Sequence, residues 1–127
     1  IQEVRLCGYT PTPNHAKVLE TAMGTSNIVP WRQFSTITEA LADLNSTIVA
    51  VETIPAAQDI TRTALPKNCA LLFGNERQGL SQNALDSAGM FLKIPLLGMK
   101  NSMNVAACMS ICSFEYNRQH SGVKPLC

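Results

Sequence analysis

Two short runs, Thr47 to Val51 (TIVAV) and Cys69 to Phe73 (CALLF), carry no charge and no alternation of apolar with polar side chains. A strand with one wet face alternates, so runs of this kind are expected to be covered on both faces, as in a parallel sheet flanked by helices. The charge content agrees, because 15% charged against 46% hydrophobic residues leaves few side chains for wet strand faces. At 127 residues the chain is long enough for a real core and is expected to form one compact domain over residues 1–127.

The rest of the chain supplies the alternating elements. Val4 to Tyr9 is expected as a strand running into Thr10-Pro11-Thr12-Pro13, where two prolines forbid regular pairing. A helix from Asn14 through Ala22 is stopped by Gly24, and Asn27 to Phe34 reads as an extended piece. Ser35 or Thr36 caps a helix with Ile37, Ala40, Leu41 and Leu44 at three-to-four spacing. After TIVAV a polar stretch containing Asp59 and Arg62 is expected to cross the surface. CALLF follows, then a helix capped by Ser81 and ending near Gly89, and a strand over Phe91 to Ile94. Strand and helix thus alternate, which argues for a mostly parallel sheet with ligand loops at the carboxyl ends of its strands.

The last helix, Ser102 to about Gln119, has apolar residues around most of its circumference, among them Val105, Cys108, Ile111, Cys112, Phe114 and Tyr116. Such a helix meets partners on two sides. The second partner is expected to be another copy of the chain, the alternative being a central helix in a monomer.

Charge excludes one simple class. Ten basic and nine acidic residues leave a formal net charge of +1 with no basic run, so there is no global field for nonspecific nucleic-acid binding and any grip on RNA must be local. The five cysteines, Cys7, Cys69, Cys108, Cys112 and Cys127, are odd in number and lack a C-x-x-C pair, which reads as reduced thiols in apolar segments. Cys108 and Cys112 lie one helical turn apart, but no histidine or third cysteine stands near them in the sequence, so no metal is expected. No membrane span and no targeting segment is read, and the expected location is the cytoplasm.

Two loops carry the chemistry. In LLFGNERQGLS (Leu71 to Ser81), glycines at Gly74 and Gly79 let backbone turn sharply and approach a ligand. The span G-x-x-x-x-G is followed by Leu80 instead of lysine, so phosphate cradling is disfavoured. Taken alone, this loop is an ordinary strand-to-helix turn. In IPLLGMKNSMNVAA (Ile94 to Ala107), Asn101, Ser102 and Asn104 crowd a helix N-terminus with more polar groups than capping needs.

Together with CGYTPTP (Cys7 to Pro13) and VAVET (Val49 to Thr53), these loops resemble the SpoU (TrmH-like) branch of the SPOUT superfamily across essentially the whole chain. The resemblance implies an α/β fold with a C-terminal trefoil knot and a homodimer. It also implies transfer of a methyl group from S-adenosyl-L-methionine to a ribose 2′-hydroxyl in tRNA or rRNA. A knot would be a rare exception to the usual topological rules.

Carried over by position, the resemblance assigns cofactor binding to Val51, Glu52, Thr53, Gly74, Asn75, Gly79, Ile94, Leu97, Ser102 and Met103. Glu76 and Asn104 are assigned to catalysis, near the methyl donor and the RNA. Ala106 stands where many relatives have serine. The asparagine and arginine of the family's first motif belong to a strand and helix that would precede Ile1. The alternative reading is therefore a noncatalytic SPOUT-like module that binds cofactor or RNA.

Some residues are read blandly. His15 is expected to be solvated and His120 to help end the last helix. Trp31 and Phe34 are expected in a core before a base-stacking face, and Glu115 with Arg118 as a surface pair.

Overall fold

A computed structural model describes residues 1–99 and 102–121 of the chain. The readings placed on Asn101 and Cys127 fall outside them. The chain divides into two compact units, Ile1–Leu44 and the remainder from Asn45.

In the first unit, β1 (Val4–Cys7) pairs in parallel with β2 (Trp31–Phe34). β1 stops short of Tyr9 because Gly8 turns the chain at φ 59°, and Thr10 folds back with its backbone N–H and its hydroxyl both donating to the Cys7 carbonyl. The register sets Arg5 opposite Arg32, a like-charge pairing that by itself opposes the sheet. The carboxylates of Glu3 and Asp43 each accept from both arginines, and both guanidiniums also lie over the Phe34 ring, at 5.5 and 5.2 Å from its centroid. Phe34 thus serves neither a purely apolar core nor a free stacking face.

α1 (Ala16–Ala22) begins two residues after the expected Asn14, with exposed His15 at its N-cap making no side-chain cap. Met23 takes the left-handed conformation at φ 48° and Gly24 follows at φ 83°, so the helix stops where the glycine is expected to stop it. Thr25–Asn27 then form one 3-10 turn, so of the extended piece expected from Asn27 to Phe34 only Trp31–Phe34 is strand. α2 (Ile37–Leu41) is capped by Thr36, which accepts from the Glu39 N–H, while Glu39 accepts from the Ser35 N–H. This reciprocal arrangement is a near relative of the capping box.

The second unit is a four-stranded parallel sheet in the order β4-β6-β3-β5. β3 (Thr47–Val51) is central, and its Val49 and Ala50 are fully buried, as its composition demands. β5 (Cys69–Phe73) has the expected ends but is only half-buried throughout, because it is an edge of this sheet and has a neighbour on one side. β6 (Met90–Lys93) starts and ends one residue earlier than expected. α3 (Gln82–Asp86) is capped by Ser81 as expected and is shorter than expected.

The polar stretch after β3 departs most from expectation. Gln58–Asp59 form β4, which pairs with Leu92 and Lys93 of β6, and Ile60–Arg62 make a 3-10 turn with Asp59 accepting from the Thr61 N–H. This stretch is not merely a surface crossing, since Ala57, Ile60 and Leu65 are buried in the core.

That core joins Val49, Val51, Ile60, Leu65 and Leu92 to Cys112 of α4 (Val105–His120). Cys112 is fully buried, whereas Ile111 and Phe114 on α4 are exposed, Phe114 to 71%. At its far end α4 is tied down by Gln119, which accepts from the Leu65 N–H at 2.8 Å and donates to the Thr63 carbonyl at 2.9 Å, and by Tyr116, which donates to the Lys67 carbonyl. His120 is the last residue of α4 and packs edge-on against Tyr116 with ring centroids 4.5 Å apart.

Candidate functional site

In a parallel sheet the strands deliver their following loops to one edge, and that edge is where a cleft forms. Here the chain leaving β3, β5 and β6 encloses a cleft of about 480 Å³, within the range of small-molecule sites. Its apolar surface comes from Val51, Phe73, Leu80, Ile94 and Leu96, with Glu52, Glu76, Arg77 and Lys93 supplying two charges of each sign. A lining that mixes apolar and polar side chains suits a ligand with both an apolar face and hydrogen-bonding atoms, such as a nucleoside.

The loop after β5 is a small closed hairpin. Asn75 and Gly79 exchange both backbone hydrogen bonds, at 3.2 and 2.7 Å, and the Asn75 side-chain oxygen accepts from the Arg77 N–H at 2.8 Å. Gly74 packs so closely on the hairpin's far arm that a Cβ there would overlap the backbone of Gly79 and Leu80, reaching the Gly79 carbonyl oxygen at 2.6 Å. Only glycine fits. Glu52, the first residue after β3, accepts from the Thr53 N–H and from the Leu80 N–H, each at 3.0 Å.

The other wall leads into α4. Asn104 is the N-cap of that helix, its side-chain oxygen accepting from the N–H groups of Ala106 at 3.0 Å and Ala107 at 3.3 Å. The helix therefore begins at Val105, three residues after the expected Ser102, because Asn104 is the group that caps it. Cys108, one turn into α4, reaches the cleft. Burial raises its thiol above the ordinary value, with the Glu52 carboxylate adding to the effect, and burial pushes Cys112 up to about 12. Both thiols are protonated packing groups at neutral pH and poor nucleophiles. Cys7, Cys69, Cys108 and Cys112 are all free, and among the described residues no group of three or more metal-ligating side chains occurs.

Of the residues assigned from sequence, Val51, Glu52, Thr53, Gly74, Asn75, Glu76, Gly79, Ile94, Ser102 and Met103 all line this one cleft. Leu97 does not line it; its side chain is fully exposed, with no described residue covering it. Asn104 does not line it either and is committed to the helix end. Lys93, Arg77 and Cys108 line the cleft although the sequence reading does not single them out for it. A signal for Cys108 exists, since it lies one turn beyond Asn104, whereas nothing local marks the cations.

Residues 1–114 match the family described as the SpoU rRNA Methylase family. The chain is 35% identical over 115 residues to the tRNA (guanosine(18)-2'-O)-methyltransferase of Thermus thermophilus, an alignment covering 88% of this chain and 57% of that protein. It is similar in structure to the AdoMet-bound rRNA methyltransferase from Sinorhizobium meliloti, with TM-score 0.83 and 24% identity over 94% of this chain and 46% of that one. It is similar also to the SpoU methyltransferase AviRb from Streptomyces viridochromogenes in complex with AdoMet, with TM-score 0.84 and 18% identity over 95% of this chain and 51% of that one. These likenesses show the expected α/β fold with parallel sheets flanked by helices. They also show that the chain spans 46 to 57% of the length of these proteins.

Proposed function

The chain belongs to the SpoU rRNA Methylase family, and from that premise we propose that its cleft binds S-adenosyl-L-methionine and serves 2′-O-methylation of ribose in tRNA or rRNA. The observation that carries this reading is the convergence of the 74–80 hairpin with Ile94, Leu96, Ser102 and Met103 on a single cleft at the ends of three parallel strands. The names of relatives support it, since the Thermus thermophilus protein is a tRNA 2'-O-methyltransferase and both structural neighbours hold AdoMet.

The residues present fit that cofactor. Gly74 and Gly79 let the hairpin close on itself and on Glu52, which holds its backbone along the cleft, and the cleft volume of about 480 Å³ suits a nucleoside-sized group. When bound, the cofactor supplies an electrophilic methyl group. The chain's own part is to orient and to exclude water. Val51, Phe73, Ile94 and Leu96 would cover apolar faces, and Glu76, exposed on the hairpin and lining the cleft, would orient a ribose by accepting a hydrogen bond from its hydroxyl. With its side-chain oxygen committed to the helix end, Asn104 would address the RNA through its NH2 group.

Homodimerisation and the trefoil knot belong to the same proposal. The apolar, exposed Ile111 and Phe114 on α4 support a second copy packing on that helix.

Calorimetry with S-adenosylhomocysteine tests cofactor binding. Saturable one-to-one binding to the wild type is expected, and its absence in a folded protein would overturn the reading. Transfer of labelled methyl groups from S-adenosylmethionine to bulk tRNA and rRNA, followed by mapping of 2′-O-methyl sites, tests the reaction. Cofactor binding with no transfer to either RNA would favour a noncatalytic binding module.

A further inference from the structure

Glu52 is a half-buried carboxylate in the cleft with a place that no capping or surface role explains. Its backbone N–H donates to the Leu92 carbonyl at 3.0 Å, which fixes its backbone against the end of β6. From there the side chain reaches across to the loop that follows β5. One oxygen, Oε2, accepts from the Leu80 N–H at 3.0 Å, and the other, Oε1, accepts from the Thr53 N–H at 3.0 Å. Gly79, at φ +67°, makes room for this reach, since a Cβ on it would stand 2.6 Å from Oε2. Gly74 lies against the same Gly79–Leu80 backbone. Carboxylate, hairpin arm and Gly74 therefore form one stack that joins the ends of β6, β3 and β5.

We propose that Glu52 is the positioning residue of the cofactor cleft: its carboxylate latches the base of the 74–80 hairpin to the end of β3 and so fixes where Asn75 and Glu76 stand. This rests on the reading of the cleft as an S-adenosylmethionine site. The chemistry requires a carboxylate, because both partners are N–H donors and each needs an acceptor oxygen. Glutamine has one oxygen and turns an NH2 group toward the second donor. Aspartate is one methylene too short to span from β3 to Leu80. Alanine leaves the Leu80 N–H without its acceptor.

The stack predicts a coupling that a merely stabilising acid would not show. Gly79→Ala injures the site partly by colliding with Glu52, so its effect should shrink once Glu52 is removed. In wild type, Gly79→Ala is expected to weaken S-adenosylhomocysteine binding about tenfold, and Glu52→Ala to weaken it about tenfold. The double variant should be no more than about tenfold to thirtyfold weaker than wild type, well short of the hundredfold product. Glu52→Gln, the variant least at risk of misfolding, should keep its melting temperature within a few degrees yet bind about tenfold more weakly. The Leu80 amide should exchange with deuterium faster in that variant without any ligand present. Binding by Glu52→Gln within twofold of wild type, an unchanged Leu80 amide, or a double variant with fully multiplied effects would each overturn the latch. A wild type that fails to bind S-adenosylhomocysteine would sink the functional reading instead, and the amide exchange would still report on the latch by itself.

Discussion

The two walls of the cleft are built in different ways. The wall formed by residues 74–80 is closed by its own backbone pair, by the Asn75 side chain and by Glu52. The wall that leaves β6 has no such ties between described residues along Leu96 to Met99, and Leu97 and Met99 are fully exposed. One wall holds its shape in the free protein through hydrogen bonds that only glycines permit. The other continues from Leu96 into apolar side chains, Leu97 and Met99, that are uncovered and outside the cleft lining, and covering them is a contribution that a ligand would make. A ligand should therefore find the first wall ready and the second incomplete.

The largest effect should come from the rigid wall. Gly74→Ala forces a Cβ into the backbone of Gly79 and Leu80, so the hairpin must shift as a unit. A loss of about 3 kcal/mol in stability is expected, with S-adenosylhomocysteine binding abolished, measured by thermal melts and calorimetry. A variant of wild-type stability and affinity would break the comparison at its strongest point.

Asn104 comes next, because it joins the second wall to α4. Asn104→Ala should cost about 1 kcal/mol through the lost cap, while Asn104→Asp keeps an acceptor for Ala106 and Ala107 and should be about as stable as wild type. Neither variant should retain methyl transfer if the amide NH2 addresses the RNA, so equal stability with unequal activity in the aspartate variant separates capping from function. Retained transfer by Asn104→Asp would confine the residue to its cap.

Leu97 tests the incomplete wall. As its side chain is fully exposed, Leu97→Ser should change stability by no more than about 0.5 kcal/mol. Should a bound cofactor cover the side chain, as the family resemblance implies, affinity for S-adenosylhomocysteine falls about tenfold in the same variant. Unchanged affinity would remove Leu97 from the site.

The contrast between walls also explains what is legible in the sequence. β3 and β5 show their true ends because their apolar runs are bounded by polar residues or glycine, and of the two loop glycines Gly79 is needed by the turn and Gly74 by a close backbone approach. β4 is invisible: Gln58–Asp59 join the sheet through backbone alone, and the buried Ala57, Ile60 and Leu65 are too scattered among polar residues to show a period. The start of α4 is misplaced by sequence because Asn101, Ser102 and Asn104 are equally good caps by composition, and only packing chooses among them. The latch is half legible. Glu52 is assigned to the site through its place in VAVET, but its partner Leu80 lies 28 residues on, beyond β4, a 3-10 turn and β5, and no local pattern encodes that distance. Phe34 is hidden likewise, since its two cationic neighbours reach it through pairing of β1 with β2.

The smallest effect concerns the far end of α4, the helix that the second wall leads into. Arg118 donates to both oxygens of Glu115, at 2.8 and 2.6 Å, and Gln119 donates to the same carboxylate while gripping Thr63 and Leu65. The hydrogen bonds from Arg118, with help from Gln119, hold the Glu115 carboxyl down at about 2. A carboxyl depressed by folding stabilises the native state wherever it is ionised in both states. That stability is therefore complete above the ordinary glutamate value and fades as pH falls from about 4.5 toward about 2. Arg118 is half exposed, so solvent screening should keep the contribution below that of the Asn104 cap. Denaturant melts between pH 6 and pH 2.5 should show Arg118→Ala less stable than wild type at the upper end and converging with it at the lower. Parallel curves, with the gap undiminished in acid, would show that the arginine acts through packing of its side chain, and that α4 is anchored by Gln119 and Tyr116 without electrostatic help.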